Sequence, residues 1–145
     1  MSTARSLTRT DYRRLAELRY LLRCFTAFSA AAARHAGLTA QQHQALLAVK
    51  GSPAQRLSVG ELAERLQLRH HSSVGLADRL VRGGLLHRRH DRTDQRRVIL
   101  TLTRRGERCL ARLSRAHREE LRRLAPMLRS LLGHFGRGTH VVRRR

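Results

Sequence analysis

HHSSVGLADRLVRGGLLHRR, residues 70–89, decides the fold. Val74, Ala77, Leu80 and Val81 fall on one stripe, the spacing of an amphipathic helix. Away from that stripe stand His71, Ser72, Gly75, Arg79 and Arg82, and Gly83-Gly84 end the helix. The face opposite the core is therefore small, polar and basic. Ser72, Ser73 and Gly75 leave room for close approach to a partner. Ser72 or Ser73 is also expected to cap the helix, since serine is among the preferred residues there.

Working outward, SVGE (Ser58 to Glu61) is a capping box that opens a short helix buried through Leu62, Ala63 and Leu66. Before it, Thr39 and Gln42 form another box, and that helix runs to Lys50, where Gly51-Ser52-Pro53 stops it. From about Tyr12 to Ala36 the residues Leu15, Leu18, Leu22, Phe25, Phe28 (or Ser29) and Ala32 keep helical spacing until Gly37. Downstream, Leu85–Asp91 and Arg96–Leu102 read as two strands, with Val98, Leu100 and Leu102 alternating against Arg97, Ile99 and Thr101. Arg92-Thr93-Asp94-Gln95 between them is turn-like, so the pair is a hairpin with a charged tip. Thr103 caps a fifth helix with Leu110, Leu113, His117, Leu121 and Leu124 on one stripe; Pro126 breaks it or sits in the first turn of a sixth. Residues 1–8 are expected to be loose and residues 137–145 to form a basic, disordered tail.

The chain has 145 residues, the size of one domain with an ordinary core. Lys+Arg number 31 against 10 Asp+Glu, a formal net charge of +21 that calls for a polyanionic partner. No apolar run is long enough to span a bilayer, and MSTARSLTRTDYRRL lacks the apolar core of a signal peptide, so a cytoplasmic protein with no membrane role is expected. Two cysteines make no disulfide framework. The ten acidic residues are scattered, and Glu119-Glu120 point in different directions on a helix. With no phosphate loop and no convergent nucleophile and base, the sequence is not read as an enzyme, and no catalytic residue or cofactor is assigned.

Helix, helix, short helix, turn, helix and charged hairpin is the order of a winged helix-turn-helix, mainly α with a small β-hairpin wing. Such a fold lays one helix in the major groove while the hairpin reaches backbone or minor groove. The candidate contacts to double-stranded DNA are Arg69, His70, His71, Ser72, Ser73, Gly75, Arg79 and Arg82 at the fourth helix, with Arg89, Arg92 and Arg96 in the hairpin. Asp94 is read as shaping the wing through a bridge to Arg96, which would serve both purposes. Both terminal helical segments carry apolar faces too large for the small winged unit to cover, and a second copy of the chain would bury them.

The stretches LTAQQHQALLAV, LSVGELAERLQL, HHSSVGLADRLVRGGLLHR and DRTDQRRVILTLTRRGE, in this order, resemble the MarR-type transcriptional regulators over about residues 10–135. The wing pattern is the most specific: Asp91, Asp94 and Arg96, then Leu102, Thr103 and Gly106, with Gln95 departing where many members carry arginine. The resemblance implies one domain over residues 9–136. Its winged helix-turn-helix spans about 38–103, flanked by dimerisation helices at about 9–36 and 104–136. It further implies a homodimeric repressor on a palindromic operator with half-sites ~10 bp apart. A small-molecule effector would enter a cleft lined by the first, second and fifth helices, and an arginine-rich cleft would suit an anionic aromatic compound. Zinc-sensing members place histidines where His43 and His117 stand, but two ligands are not a site and packed or solvated histidines are expected. Peroxide-sensing members use a cysteine elsewhere in the chain; Cys24 and Cys109 read as packing residues. The alternatives are a sequence-indifferent DNA-coating protein held by charge, and a metal- or thiol-responsive regulator of the same fold.

Overall fold

The computed structural model describes residues 6–136: five helices and one three-stranded antiparallel sheet. The chain divides into two compact units, Ser29–Ala116 and a second formed by residues up to Phe28 together with those from His117 onward. The tail from residue 137 and the first five residues lie outside the described residues, and with them the expected disorder of the tail.

In the Ser29–Ala116 unit, α1 (Arg9–His35) ends where Gly37 takes a left-handed φ of +77° and the Leu38 N–H donates to the Ala33 carbonyl at 2.9 Å. Both capping boxes form as the sequence predicts. The Thr39–Gln42 pair opens α2 (Ala40–Gly51), and the Ser58–Glu61 pair opens α3 (Val59–Leu66). Leu46, Val49, Leu62, Leu76, Leu80, Leu86 and Leu100 are completely or nearly completely buried in one core. Burying each such side chain contributes about 1.5–3 kcal/mol, which fixes α4 (His70–Arg82) against α2 and α3.

The sheet has the order β1-β3-β2. The wing strands are shorter than the sequence suggests, β2 being Leu86–His90 and β3 Val98–Leu102, so Asp91, Arg96 and Arg97 belong to the loop. Val98, Leu100 and Leu102 face the core as their alternation requires. The third strand, β1 (Leu57–Ser58), pairs Leu57 with Leu100 and Ser58 with Ile99. After β3, the Thr103 N–H donates to the Leu85 carbonyl at 3.1 Å and Thr103 Oγ1 to the Gly84 carbonyl at 2.7 Å. The loop after α4 is thereby bolted to the start of α5 (Arg104–Gly136).

In the other unit α1 starts at Arg9, three residues before the expected Tyr12. Thr8 and Asp11 cap it reciprocally, Thr8 N–H donating to Asp11 Oδ2 at 2.7 Å and Asp11 N–H to Thr8 Oγ1 at 3.2 Å. Leu21, Leu124 and Leu131 are buried together, and His117 meets Phe25 and Phe28 edge-on at ring distances of 5.9 and 5.5 Å. The expected break at Pro126 does not occur: α5 is continuous through it. The proline removes one donor to the Arg122 carbonyl, but Leu124, Leu128 and Leu131 stay in phase across it and their packing holds the helix.

Four carboxylates are held below the usual range. Asp11 is lowered chiefly by the Thr8 backbone N–H, then by the Thr8 hydroxyl and His134; Glu61 by the Ser58 N–H; Asp91 by the Thr93 N–H; Glu120 by Arg123. Each binds its proton more weakly folded than unfolded. Their contribution is therefore present above the unfolded value of about 4 and is lost as the pH falls below it. Thermal unfolding between pH 7 and pH 3 is expected to show a falling midpoint below about pH 4.5; a midpoint that holds or rises on acidification contradicts these contacts.

Candidate nucleic-acid interface

α4 begins at His70, with Arg69 as its N-cap and no side chain capping it. The expected serine cap is therefore a misreading: Ser72 and Ser73 lie inside the first turn, where their N–H groups donate to the Arg69 carbonyl at 3.0 and 3.1 Å. The buried face is Ser73, Leu76, Ala77 and Leu80, rotated from the predicted stripe, and Val74 and Val81 are half-buried. Ser73 must also be corrected as a DNA contact. It is fully buried, and its Oγ donates to the Val59 carbonyl at 3.0 Å, pinning α4 to α3. A buried hydroxyl so paired is a structural fastening and faces no partner.

The remaining α4 candidates do come to the surface. Arg69, His70, His71, Arg79 and Arg82 are exposed, and Ser72 and Gly75 are half-buried. A Cβ at Gly75 would meet only an Arg79 guanidinium nitrogen, at 3.5 Å, so that face of the helix is flat and open. The acid that the sequence reading passed over is Asp78. It is paired with Arg88 of β2, which neutralises it and ties α4 to the wing. No local signal marks this pair, since its members lie on different elements.

In the wing, Asp91 accepts from the Thr93 N–H and hydroxyl, both at 3.1 Å, and from Arg97 at 3.3 Å. Arg97 also reaches Glu61 at 3.5 Å, joining the wing to α3. Asp94 accepts from the Arg96 N–H at 3.1 Å and its Nε at 3.3 Å, while the Arg96 side chain remains 93% exposed. Such a pair adds little stability but fixes the direction of the loop. Arg89 and Arg92 are exposed and enter no ion pair among the described residues. His70 and Asp78 of α4 and Arg88 and Arg96 of the wing line one groove of about 290 Å³, so helix and wing present a continuous surface.

On the other flank of α4 lies a cavity of about 650 Å³, walled by Ala36, Leu38 and Gln42, by Arg79 and Leu80 of α4, and by the first three turns of α5. The sequence reading missed that α4 contributes to this wall. Among the described residues no three His, Cys, Asp or Glu side chains are grouped to hold a metal ion. Nor is any described helix long and apolar enough to cross a membrane.

Residues 36–97 match the MarR family. No curated protein matches the chain. Among solved structures, Sco3205, a MarR family transcriptional regulator from Streptomyces coelicolor determined in complex with DNA, is 22% identical with a TM-score of 0.71, covering 94% of this chain and 89% of its own. A probable transcriptional regulator from Pseudomonas aeruginosa is 28% identical with a TM-score of 0.62, covering 81% of this chain and 92% of its own. BpsR of Bordetella bronchiseptica, whose DNA binding is regulated by 6-hydroxynicotinic acid, is 22% identical with a TM-score of 0.64, covering 84% of this chain and 89% of its own. The uncapped, outward-facing α4, the wing tied to it through Asp78 and Arg88, and the solved neighbours agree on a winged helix-turn-helix fold, whose residues 36–97 match the MarR family.

Proposed function

We propose that the chain is a DNA-binding transcriptional regulator that acts as a homodimeric, ligand-responsive repressor on a palindromic operator. The observation that carries the DNA reading is the outer face of α4. Among the described residues, Arg69, His70, His71, Arg79 and Arg82 enter no ion pair, and the one acid of α4, Asp78, is already occupied by Arg88. Arg89, Arg92 and Arg96 extend this basic surface along the wing. Phosphate contacts from such a surface set register, and side chains of α4 read base edges.

The dimer reading is supported by the apolar side chains left exposed on the terminal-helix unit: Tyr12, Leu15, Tyr20 and Leu22 of α1, and Leu121, Met127 and Leu132 of α5, between 39% and 61% exposed. A monomer with that much open apolar surface is unfavourable. The ligand reading rests on the arginine-walled cavity beside α4 and on the likeness to BpsR, and an anionic aromatic compound suits such a wall. The +21 charge favours a second reading, a sequence-indifferent DNA-coating protein.

Fluorescence anisotropy separates the two. A preference of about a thousandfold for the intergenic DNA beside the gene over a shuffled duplex, at physiological salt, is expected of a specific regulator. Equal and steeply salt-dependent binding to both supports the coating protein. In the same assay Arg92→Ala is expected to lower the slope of log affinity against log salt by about one unit, the value of one lost phosphate contact. An unchanged slope removes Arg92 from the backbone.

A further inference from the structure

Three histidines stand in the surface formed by α4 and the wing. His70 and His71 open the first turn of α4, His90 ends β2, and all three are exposed. His70 shares its side of the helix with Val74 and Ala77 and lines the groove beside Asp78, Arg88, Arg96 and Arg97. His71 shares the adjoining side with Gly75, Asp78 and Arg82. Nδ1 of His90 lies 2.8 Å from the Gln95 carbonyl, which can only accept, so Nδ1 carries a hydrogen and Nε2 is the atom that takes up a second proton. Strand alternation puts His90 on the side of β2 from which Arg88 reaches Asp78. It puts His87 on the other side with Arg89, opposite Thr101 and Ile99.

The acids around these rings are already held. Asp78 is bound by Arg88, Asp94 by Arg96, and Asp91 and Glu61 by Arg97. The other charged neighbours, Arg69, Arg79, Arg82 and Arg92, carry the same sign as a protonated ring. Among the described residues none of the three histidines enters an ion pair. A proton placed on them in the free chain therefore meets no carboxylate partner. A DNA phosphate would supply the missing negative charge, and the first turn of α4, which no side chain caps, favours an anion at the same place.

Resting on the reading of this surface as the DNA interface, we propose that His70, His71 and His90 engage DNA phosphates as imidazolium groups, so that the chain takes up protons when it binds DNA. An ordinary histidine exchanges its proton near pH 6.5, inside the physiological range. Contact with phosphate holds the proton more tightly in the complex than in the free chain. The contribution is then present in full below the free-chain value and is lost as the pH rises through the higher value of the complex. Acidification tightens the grip on DNA, and by linkage DNA strengthens the hold on the protons by the same factor. His90 joins the contact surface and His87 does not.

The test uses the purified full chain, with the intergenic duplex beside the gene and its shuffled counterpart as probes, at pH 6 and pH 8 over the same salt series. With both probes the parent is expected to bind at least tenfold more tightly at pH 6. Its slope of log affinity against log salt is expected to steepen by about two units, since each ring that gains a phosphate adds about one. Calorimetry in two buffers of different ionisation enthalpy is expected to count about one to two protons taken up per chain at pH 7. Replacing the three histidines together by glutamine is expected to reduce the pH response to less than threefold and to abolish the proton uptake. Replacing them by arginine, which stays charged, is expected to give binding at pH 8 at least as tight as the parent's at pH 6. His87→Gln is expected to respond to pH as the parent does. The substituted side chains are exposed, so circular dichroism of every variant is expected to match the parent. A parent response below threefold, a glutamine variant that responds like the parent, an arginine variant with no gain at pH 8, or a His87→Gln variant without the response would overturn the proposal and leave DNA binding itself standing. Absence of binding to either probe at both pH values would sink the DNA reading, and this proposal with it.

Discussion

Gly106→Ala is expected to lower the unfolding midpoint by about 4–8 °C, the largest effect of alanine at any of the described glycines. A Cβ at position 106 would stand 2.2 Å from the Leu85 carbonyl oxygen and 3.1 Å from its carbon. That carbonyl cannot step aside. It accepts from the Thr103 N–H at 3.1 Å, and the neighbouring Gly84 carbonyl accepts from the Thr103 hydroxyl at 2.7 Å. The same hydroxyl oxygen takes the Gly106 N–H at 3.0 Å. Room for the methyl comes only by lifting the start of α5 off the loop after α4, which strains or breaks these bonds. Overpacking of this kind costs about 3 kcal/mol against the roughly 1 kcal/mol by which alanine improves on glycine in a helix, a net loss of about 2 kcal/mol. At about 2–4 °C per kcal/mol for a chain of this size, the shift follows. Gly133→Ala is the control. It lies on the same helix with nothing within 4 Å of its Cβ, and its midpoint is expected to stay or rise. Equal behaviour of the two variants would mean that the α4–β2 loop is not locked to α5.

That lock shows which parts of the fold a sequence displays. Thr39 with Gln42 and Ser58 with Glu61 were legible because a capping box is local, complete within four residues. The alternation of Val98, Leu100 and Leu102 revealed the wing for the same reason. β1 was not legible, since two residues carry no period and Leu57–Ser58 is a strand only through its pairing with β3. Ser73 was misassigned although its signal was present: 73, 76, 77 and 80 are the spacing of a buried face, and the hydroxyl disguised its first member. Pro126 misled in the opposite way, a local breaker overruled by leucines that pack in phase on both sides of it. The Asp78–Arg88 pair and the arginine cavity each needed two elements brought together, and no single stretch announces them.

Gly75→Glu is expected to abolish measurable operator binding, with affinity reduced about a hundredfold or more, while the protein remains folded with an unchanged or slightly higher unfolding midpoint. The two effects separate because of where Gly75 sits. It is in the interior of α4 on the face away from the core, and its Cβ would meet only an Arg79 guanidinium nitrogen at an ordinary 3.5 Å. Folding therefore gains: glutamate is a better helix former than glycine, and a glutamate four residues before Arg79 adds a favourable pair. Binding loses twice. A carboxylate is set against the phosphates of the groove at a cost of several kcal/mol, about 3 kcal/mol being enough for a hundredfold. The same carboxylate also engages Arg79. Gly75→Ala resolves the steric share from the electrostatic one. If close approach of backbone to DNA is what position 75 provides, alanine already weakens binding about tenfold; if charge dominates, alanine binds nearly as well as the parent. Undiminished operator binding by Gly75→Glu, in a chain whose helical content is intact, would take α4 out of the groove and leave the wing and the net charge to account for any affinity that remains.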